Sequence, residues 1–544
     1  MRAALLVTLC TPSRATRPVA GRSGGTPWAR RPARRYERRR PEKTPLHKVV
    51  SENLESWLAW REAGERPVPG YVENELRGYL ECGILCFGFA RAVCTTCRTG
   101  FVVAFSCKGR GVCPSCNGRH MAQTAAHLAD HVIPPVPVRQ WVISVPKRLR
   151  GMLADRPRAI AALTKIFLTE IEQHLLAASG GPPDAEMPRA SRPRLGGISF
   201  LHRFGSALNH HVHLHACVTD GVFVPAADHA GCDAPPTFLP ARPITPSDLA
   251  ALTERVRRRV IRWFRLARLL DAEAAADMLA WENSGFSVDA SVRITLLDRD
   301  VPSYFRSLEH LLRYCARPPF ALERLSVIRG PDGRIARIRY VLPRHKAANW
   351  VGRGRGRKST RPGTNGVVEL TPFEFLDRLA DLVPPPRKHR HRYHGVFAPN
   401  HKLRPAVTAL AIGNIGKRGQ AATGGHAVGG AVGGQPTGCC DTQAKPRSHD
   451  TSRIAWAKLM ARVGEEFPLL CPACGGDIRL IAFITEPGPI RKILTHLGEP
   501  LEPPPVSPAR GPPTDWAELV QAHDDREAVQ LSPEELPVID IHSL

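Results

Sequence analysis

The 544-residue sequence contains no long apolar run and has few acidic residues for its length. No stretch reaches the roughly 18 apolar residues that a membrane-spanning helix needs, so none is expected to cross a bilayer. Only 50 Asp and Glu stand against 76 Lys and Arg, which gives a net charge of +26 and a pI of about 10.0. Since 43% of the residues are hydrophobic, the composition excludes an acidic, wholly disordered or membrane-embedded protein. The basic excess indicates a polyanionic partner, most simply nucleic acid.

A clean secretory signal is also missing, because the short apolar run at residues 3–10 leads into an arginine-rich stretch and not into a cleavage site. The sequence therefore predicts a soluble, cytoplasmic protein. Its 15 cysteines are an odd number, and six of them form three CxxC pairs. In a reducing compartment this is the spacing of metal ligands and not of disulfides, so zinc is the first chemical inference.

Composition and hydrophobic periodicity divide the chain into seven segments. They are a basic disordered arm (1–45), a zinc-binding domain (46–135), an α+β domain (136–330), a basic extension of that domain (331–411), a flexible linker (412–450), a small CxxC module (451–510) and an acidic, Pro-rich tail (511–544).

The segment 136–330 alternates strand and helix patterns. Alternating apolar residues predict strands at 139–145, a hairpin within 196–224 and a further strand at 286–298. Apolar residues at three and four spacing predict helices at 157–179, 249–280 and 304–314. This order predicts an α+β fold with a central antiparallel β-sheet flanked by helices.

Two CxxC pairs near the N-terminus have the spacing of a four-cysteine zinc site. Cys94 and Cys97 are separated by fifteen residues from Cys113 and Cys116. Two such tight turns can bring four thiolates to tetrahedral distance around one ion. The sequence therefore predicts one structural Zn²⁺ site formed by these four cysteines.

Other cysteines leave alternatives open. Cys82, Cys86 and Cys107 could be alternative ligands or core residues, and Cys82 with Cys107 could be part of a second site. Cys471 and Cys474 form half of a zinc ribbon. Their partners could be Cys439 with Cys440, His496 or another chain, or the pair could bind no metal.

Three histidines alternate along the second strand of the predicted hairpin. His211, His213 and His215 project to one face of that strand, while Val212 and Leu214 face the other side. Imidazoles that converge in this way are suited to a divalent metal ion. Two nitrogens bind an ion only weakly, so a third ligand and a substrate oxygen are expected to complete the site.

Tyr314 lies at the end of a predicted helix that Pro318 prevents from continuing. A tyrosyl oxygen beside a metal-polarised phosphate is a nucleophile for transesterification. Arg313 and Arg317 flank this tyrosine and are placed to stabilise the charge of the transition state.

Further basic residues are predicted to contact DNA phosphates. The predicted DNA-binding residues are Lys108, Arg110, Arg313, Arg317, Arg390 and Arg392.

In their order along the chain, the motifs resemble those of the HUH-type transposases of the IS91 group. The matching segments are SCKGRGVCPSC, RQWVISVPKRLR, FGSALNHHVHLHACVTDGVF, LLRYCARPPFALERL and VPPPRKHRHRYHGVFAPN. The resemblance covers roughly residues 75–410 and resumes at 471–487. It implies a rolling-circle transposase in which an HUH endonuclease domain follows a small Cys-rich zinc-binding domain.

The resemblance also implies roles for individual residues. By this resemblance the motif His211, Val212 and His213 binds the catalytic divalent ion, Mg²⁺ or Mn²⁺, and the nucleophile is Tyr314. Pro318 stands four residues on, where the second tyrosine of two-tyrosine members would fall, so the chain resembles the single-tyrosine subgroup.

The third metal ligand is left open between His215, on the same strand face, and His310, one helical turn before the nucleophile.

The implied reaction cleaves one DNA strand at an element end and leaves a 5′-phosphotyrosine and a free 3′-OH, followed by strand transfer. No ATP is required, and the sequence contains no GxxxxGK[ST] loop. The implied partner is single-stranded or hairpin DNA at the element ends, with a homodimer possible because two ends are processed. The implied location is the bacterial cytoplasm, in association with the nucleoid.

Two other functions remain as alternatives. One is a plasmid replication initiator or relaxase-like nickase with the same chemistry. The other is a zinc-dependent DNA-binding protein without catalysis, such as a decayed transposase.

Overall fold

The computed structural model describes residues 39–180, 192–205, 208–225, 236–295, 301–342, 366–414, 471 and 473–510. The predicted basic arm up to residue 38, the linker from residue 415 onward and the acidic tail lie outside these ranges. Within them, helices combine with antiparallel sheets, which confirms the predicted α+β class. Among the described residues no helix is long and apolar enough to cross a membrane.

The helices of the described ranges are α1 (Pro45–Ala63), α2 (Gly70–Glu81), α3 (Pro114–His131), α4 (Lys147–Asp155), α5 (Pro157–Ala178), α6 (Pro246–Leu266), α7 (Ala272–Ala280), α8 (Val301–Cys315), α9 (Pro372–Leu382), α10 (Arg404–Ala409) and α11 (Pro487–Leu497).

The strands are β1 (Phe89–Cys94), β2 (Gly100–Ala104), β3 (Val138–Ser144), β4 (Gly196–Phe204), β5 (His210–Thr219), β6 (Gly221–Val224), β7 (Thr237–Pro240), β8 (Ser287–Asp289), β9 (Arg293–Ile294), β10 (Leu325–Arg329), β11 (Ile335–Val341), β12 (Val367–Leu370), β13 (His391–Gly395) and β14 (Ile478–Ile484).

A six-stranded antiparallel sheet forms the centre of the molecule. Its strand order is β13-β4-β5-β3-β8, with β9 also paired to β3. The register places His213 of β5 opposite His202 of β4 on one side and Ser144 of β3 on the other. Residues 212–219 of β5 are buried, because apolar cores pack on both faces of the sheet.

The two faces of β5 have different neighbours. Val212 and Leu214 belong to the apolar core that helices α4 to α7 form on one face. Cys217 belongs to the core of the opposite face, which contains residues of α3 and α8. Successive strand residues alternate between faces, so His213 and His215 point toward the side of α8.

Helix α8 packs its apolar side against this second face. Tyr304, Leu308, Leu312 and Cys315 are buried there at a spacing of three and four residues. The helix ends just before two consecutive prolines, as predicted, and its last turn contains Tyr314.

The predicted helix at 249–280 is two helices in the structure. Arg268, between α6 and α7, has a left-handed backbone with φ of 57°. The Asp271 side chain then accepts a hydrogen bond from the backbone of Ala274 and so caps α7. The predicted strand at 286–298 is likewise split into the short strands β8 and β9.

One buried ion pair links the ends of several strands. Both oxygens of the Asp220 carboxylate accept hydrogen bonds from the guanidinium group of Arg139, at 2.9 and 3.0 Å. Arg293 donates to the same carboxylate at 2.5 Å. Asp220 lies at the turn between β5 and β6, so the pair connects this turn to β3 and β9.

The predicted boundary at residue 330 divides a sheet. Strands β10 and β11, on either side of it, are paired, and β12 extends the same sheet. This sheet and α9 share one apolar core with α1 and α2, including Trp57, Leu76, Ile338 and Phe375. The sheet of β10 to β12 and helix α9 therefore pack directly on the N-terminal helices.

Candidate metal centres and active site

Three buried histidines form a cluster between β4 and β5. Potential ligand atoms of His202, His213 and His215 all lie within 4.8 Å of one another. His202 faces His213 across the strand pair, and their ring centroids are 5.0 Å apart. The centroids of His202 and His215 are only 4.4 Å apart. Three imidazole nitrogens at this spacing form a donor set for a divalent transition-metal ion.

Hydrogen bonds orient the rings of this cluster. His202 donates from Nε2 to the carbonyl of Cys315 at 2.7 Å, and its buried Nδ1 has no partner. His213 uses Nδ1 to donate to the carbonyl of His211 at 3.1 Å. A metal-binding histidine usually has its second ring nitrogen bonded in this way, which leaves the other nitrogen for the ion.

Gln140, on β3, contacts the third ring of the cluster. Its Nε2 lies 2.8 Å from Nδ1 of His215, while Gln140 Oε1 and His215 Nε2 are both buried without a partner. Rotation of the amide by a half turn lets Oε1 accept a hydrogen bond from Nδ1–H. Both unpartnered atoms are then accounted for. Oε1 of Gln140 accepts this hydrogen bond, and Nε2 of His215 is unprotonated and has a lone pair for a metal ion.

Burial favours the neutral form of His202 and of His215. It lowers the pKa of His202 and of His215 well below the usual value, and repulsion from neighbouring histidines and from Arg317 acts in the same direction. Neutral imidazole is the form that binds a metal ion.

Tyr314 lies beside this cluster. Its ring meets that of His215 edge-on at a centroid distance of 5.6 Å, and its hydroxyl oxygen is buried without a hydrogen-bond partner. Burial raises the pKa of Tyr314, while the positive charge of Arg317 acts to lower it. The Arg317 guanidinium lies 4.6 Å from the centre of the tyrosine ring and also covers Phe204.

A cavity of about 30 Å³ adjoins this site, and Phe200, His202, Cys315, Arg317 and Arg390 are among the residues that line it. This volume is enough for an ion or a water molecule.

The cysteines form two separate clusters of four. The N-terminal cysteine cluster consists of Cys82, Cys107, Cys113 and Cys116, with Sγ–Sγ distances of 3.5 to 3.8 Å. The bridging cysteine cluster consists of Cys94, Cys97, Cys471 and Cys474, with Sγ–Sγ distances of 3.5 Å. Four thiolates about 2.3 Å from one Zn²⁺ stand about 3.8 Å from each other, so both clusters have the dimensions of a zinc site.

Two family models match the chain. The model described as "Transposase zinc-binding domain", of the IS91 type, matches residues 52–145. The model described as "Putative transposase" matches residues 196–404, which run from β4 to the start of α10. The chain belongs to the IS91 group of transposases. It is thus a DNA transposase with a zinc-binding domain, and no curated protein or solved structure matches it.

The prediction of one zinc site from the two CxxC pairs of this transposase was wrong in its grouping. Cys94 and Cys97 belong to one cluster, and Cys113 and Cys116 belong to the other. The cause is the position of each pair in the fold. Cys94 and Cys97 lie at the turn between β1 and β2, whereas Cys113 caps the start of α3. Each pair is therefore completed by cysteines from elsewhere in the chain.

The predicted histidine set of the transposase also needs correction. His211 is outside the three-histidine cluster, although its ring lies 4.9 Å from that of His213. The pairing of β4 and β5 shifts directly after the His202–His213 pair, so His211 lies beyond this irregularity. His202 takes the third place, and His310 is likewise outside the cluster.

Sequence reasoning missed His202 because its signal is weak. The residue is a single histidine within the predicted strand GGISFLHRF. Its position opposite His213 depends on the register of the hairpin, and a change of one residue would turn it to the other face.

Two of the predicted DNA-binding arginines are used inside the protein. Arg110 donates to the carbonyls of Lys388, at 2.8 Å, and Pro385, at 3.2 Å. Arg390 donates to the side chain of Asn117 at 2.7 Å, and burial lowers its pKa to about 10. Both arginines thus join the zinc-binding domain to the segment that leads into β13, and their contact with DNA phosphates stays a prediction.

The other predicted DNA-binding residues differ in exposure. Lys108 and Arg392 are exposed. Arg313 forms an ion pair with Glu309 at 2.8 Å, and Arg317 covers Tyr314.

Proposed function

We propose that this transposase nicks and rejoins single-stranded DNA at element ends, with Tyr314 as the nucleophile and a 5′-phosphotyrosine as the intermediate. The observation that carries the proposal is the position of the Tyr314 hydroxyl. It is buried, lacks a hydrogen-bond partner and belongs to a ring in contact with His215 of the three-histidine cluster. A buried polar atom with no partner at a site of this kind indicates a ligand or a catalytic role.

The three-histidine cluster fits a divalent ion. Nδ1 of His202 and Nε2 of His215 are buried without partners, and both rings stay neutral. Together with His213 they would hold Mg²⁺ or Mn²⁺, which supplies positive charge next to the scissile phosphate. Nitrogen donors favour Mn²⁺ over Mg²⁺, because Mg²⁺ prefers oxygen ligands.

The protein's own residues perform the transesterification. The Tyr314 hydroxyl gives up its proton as its oxygen forms a bond to phosphorus, the bond from phosphorus to the 3′ oxygen breaks, and the departing 3′ oxygen takes up one proton. Arg317 lies against the tyrosine ring, where its charge favours the phenolate and opposes the effect of burial. The reverse reaction rejoins the strands, so the bond energy is retained and no ATP is needed.

The cavity beside His202 is far smaller than a nucleotide. Since Arg317 lines this cavity and lies over the Tyr314 ring, we expect this side chain to move when DNA binds. A phosphate group can attract the guanidinium group away from the ring, because the pair would form charge-assisted hydrogen bonds.

The partner and the assembly follow from the same chemistry. Single-stranded or hairpin ends expose the phosphate that the tyrosine attacks, and the exposed Lys108 and Arg392 are available for phosphate contacts. A single catalytic tyrosine in each chain favours a homodimer, because an element has two ends. The proposed site of action is the bacterial nucleoid, in the cytoplasm.

A nicking assay tests this proposal. Full-length protein with Mn²⁺ or Mg²⁺ is incubated with single-stranded oligonucleotides that carry the element ends, and covalent adducts are resolved on a denaturing gel. We expect a metal-dependent adduct that is lost in Tyr314→Phe and reduced at least about 100-fold in His202→Ala, since general mutational losses at catalytic groups are of this size.

The matched control is Tyr393→Phe, which makes the same chemical change on β13, where Arg404 lies 4.8 Å from the ring centre. This variant is expected to retain the adduct. An adduct that persists in Tyr314→Phe would refute the proposed nucleophile. DNA binding without any adduct would favour the decayed transposase, and adducts on a plasmid origin but not on element ends would favour a replication initiator.

A further inference from the structure

The bridging cysteine cluster joins two parts of the chain that are far apart in sequence. Cys94 is the last residue of β1 and Cys97 follows it, whereas Cys471 and Cys474 precede β14, about 380 residues later. Sγ of Cys94 lies 3.5 Å from Sγ of Cys474, and Sγ of Cys97 lies 3.5 Å from Sγ of Cys471. These distances exceed the disulfide length of about 2.05 Å and match the edges of a thiolate tetrahedron around a metal ion.

The two CxxC turns share two backbone features. The residue directly after each second cysteine is left-handed, with φ of 62° at Arg98 and 73° at Gly475. The amide of Arg98 donates to the carbonyl of Cys94, and the amide of Gly475 donates to the carbonyl of Cys471. Matching tight turns of this kind each present two sulfur atoms toward one point, as in a zinc ribbon.

Strand pairing brings the two turns together. Strands β1 and β14 are antiparallel, with Phe89 opposite Ile484 at one end and Cys94 opposite Ile478 at the other. The backbone and side chain of Thr95 both donate to the carbonyl of Asp477, at 2.8 and 3.1 Å. The cluster thus lies at one end of the β1–β14 pair, beyond the shift in register between Arg91 and Ala92.

The turns are also closely packed. A Cβ atom at Gly476 would collide with the Thr96 hydroxyl and would lie 3.2 Å from Sγ of Cys94. Cys94 and Cys471 are buried together with Ala92 and Phe101, while Cys97 and Cys474 are exposed. Four thiols gathered at a partly exposed position are poorly explained by apolar packing alone, since a packed core needs no exposed cysteine.

We propose that Cys94, Cys97, Cys471 and Cys474 bind a second structural Zn²⁺. This ion fastens the C-terminal module, described at 471 and 473–510, to the N-terminal zinc-binding domain. Half of the ligands lie outside residues 52–145, the range of the zinc-binding family model. The N-terminal cysteine cluster holds the other ion, so the chain binds two. The proposal does not depend on the tyrosine mechanism, because neither cluster contains Tyr314 or the three histidines.

Packing beyond the cluster supports a fastening role. Ile490 and Leu494 of α11 share a small apolar core with Leu85 and Phe89. The segment after α11 continues along α1, where Arg510 donates from its backbone to the Ser56 hydroxyl at 3.0 Å. This apolar core contains only four buried residues, and such a small core is expected to need a metal ion for stability.

Metal analysis of the full-length chain tests the proposal. Elemental analysis is expected to find two zinc ions per chain in the unmodified protein and one in the double variant Cys471→Ser, Cys474→Ser. The matched control is Cys86→Ser, which removes a half-buried cysteine of the same domain that belongs to neither cluster. It should retain two ions. One zinc ion in the unmodified protein and in the double variant alike would overturn the proposal.

A second measurement does not require the variant to fold. The unmodified protein is treated with an alkylating reagent before and after chelation, and each cysteine is identified by mass spectrometry. Cys97 and Cys474 are exposed, so burial does not protect them, and chelation removes the protection that a bound metal gives but not that of a disulfide. We expect protection that chelation removes. Alkylation of both residues before chelation would refute the site, and so would modification that appears only after reduction, because that result would indicate disulfides.

Discussion

His202 and Gln140 lie on different strands from His213 and His215, yet each contributes to the same cluster. His202 adds a third ring from β4, and Gln140 supports the ring of His215 from β3. Neither residue has a sequence signal of its own, because strand pairing alone brings both to β5. At the scale of single residues, the site therefore consists of a histidine motif and partners that only the sheet supplies.

The first prediction concerns Gln140. Replacing it with Met keeps the volume but removes the amide that orients His215, so the affinity for Mn²⁺ is expected to fall by about 10- to 100-fold, the usual effect of losing a partner of a metal ligand. Isothermal titration with Mn²⁺ measures this change. Gln123→Met, at an exposed position of α3, is the matched control and should keep the affinity of the unmodified protein.

The second prediction concerns acid stability and His394. Burial, with help from Arg392, lowers the pKa of His394 to about 4. The unfolded chain has the ordinary value of about 6.5 and binds more protons between these two values. The stability that comes from the neutral ring is thus present above about pH 6.5 and is lost as the pH falls toward 4.

Thermal unfolding between pH 7 and pH 4 measures this effect. The melting temperature of the unmodified protein is expected to fall with pH more steeply than that of His394→Gln, which keeps a polar group near the Ser199 hydroxyl that lies 2.8 Å from the histidine. Parallel curves for the two proteins would contradict the prediction.

Helix α8 and strand β5 together form the candidate active site at the scale of elements. Strand β5 supplies His213 and His215. The last turn of the helix places Tyr314 against His215 and the carbonyl of Cys315 against His202 of the neighbouring β4. The amphipathic pattern of the helix predicted the element but not its partner. Contact between the helix end and the histidines depends on how α8 crosses the sheet.

The third prediction concerns the ion pair that connects the strand ends. Asp220→Asn removes the charge that both Arg139 and Arg293 contact, and Arg139 is buried. Leaving a buried charge unpaired usually costs about 3 to 5 kcal/mol of folding free energy. Urea unfolding measures the loss. The control is Asp332→Asn, which affects the exposed pair with Arg334 and should cost less than about 1 kcal/mol.

The whole molecule is organised by contacts between distant parts of the chain. The helices α1 and α2 share a core with β10 to β12 and α9, Arg110 binds the segment before β13, and the C-terminal module pairs with β1. The zinc-binding domain therefore contacts the region around the catalytic sheet as well as the end of the chain. Zinc in this transposase is expected to stabilise more than the residues between its ligands.

The sequence by itself determined which kind of partner and which metal this protein binds, and which histidines share a strand face. Charge indicated nucleic acid, CxxC pairs indicated zinc, and alternation placed His213 and His215 on one strand face, because each of these signals is local. Only the tertiary structure decided which groups meet. It placed His202 in the histidine cluster and paired Cys94 and Cys97 with Cys471 and Cys474. The physical reason is that strand register and packing between distant segments depend on the whole chain, whereas spacing within a motif does not.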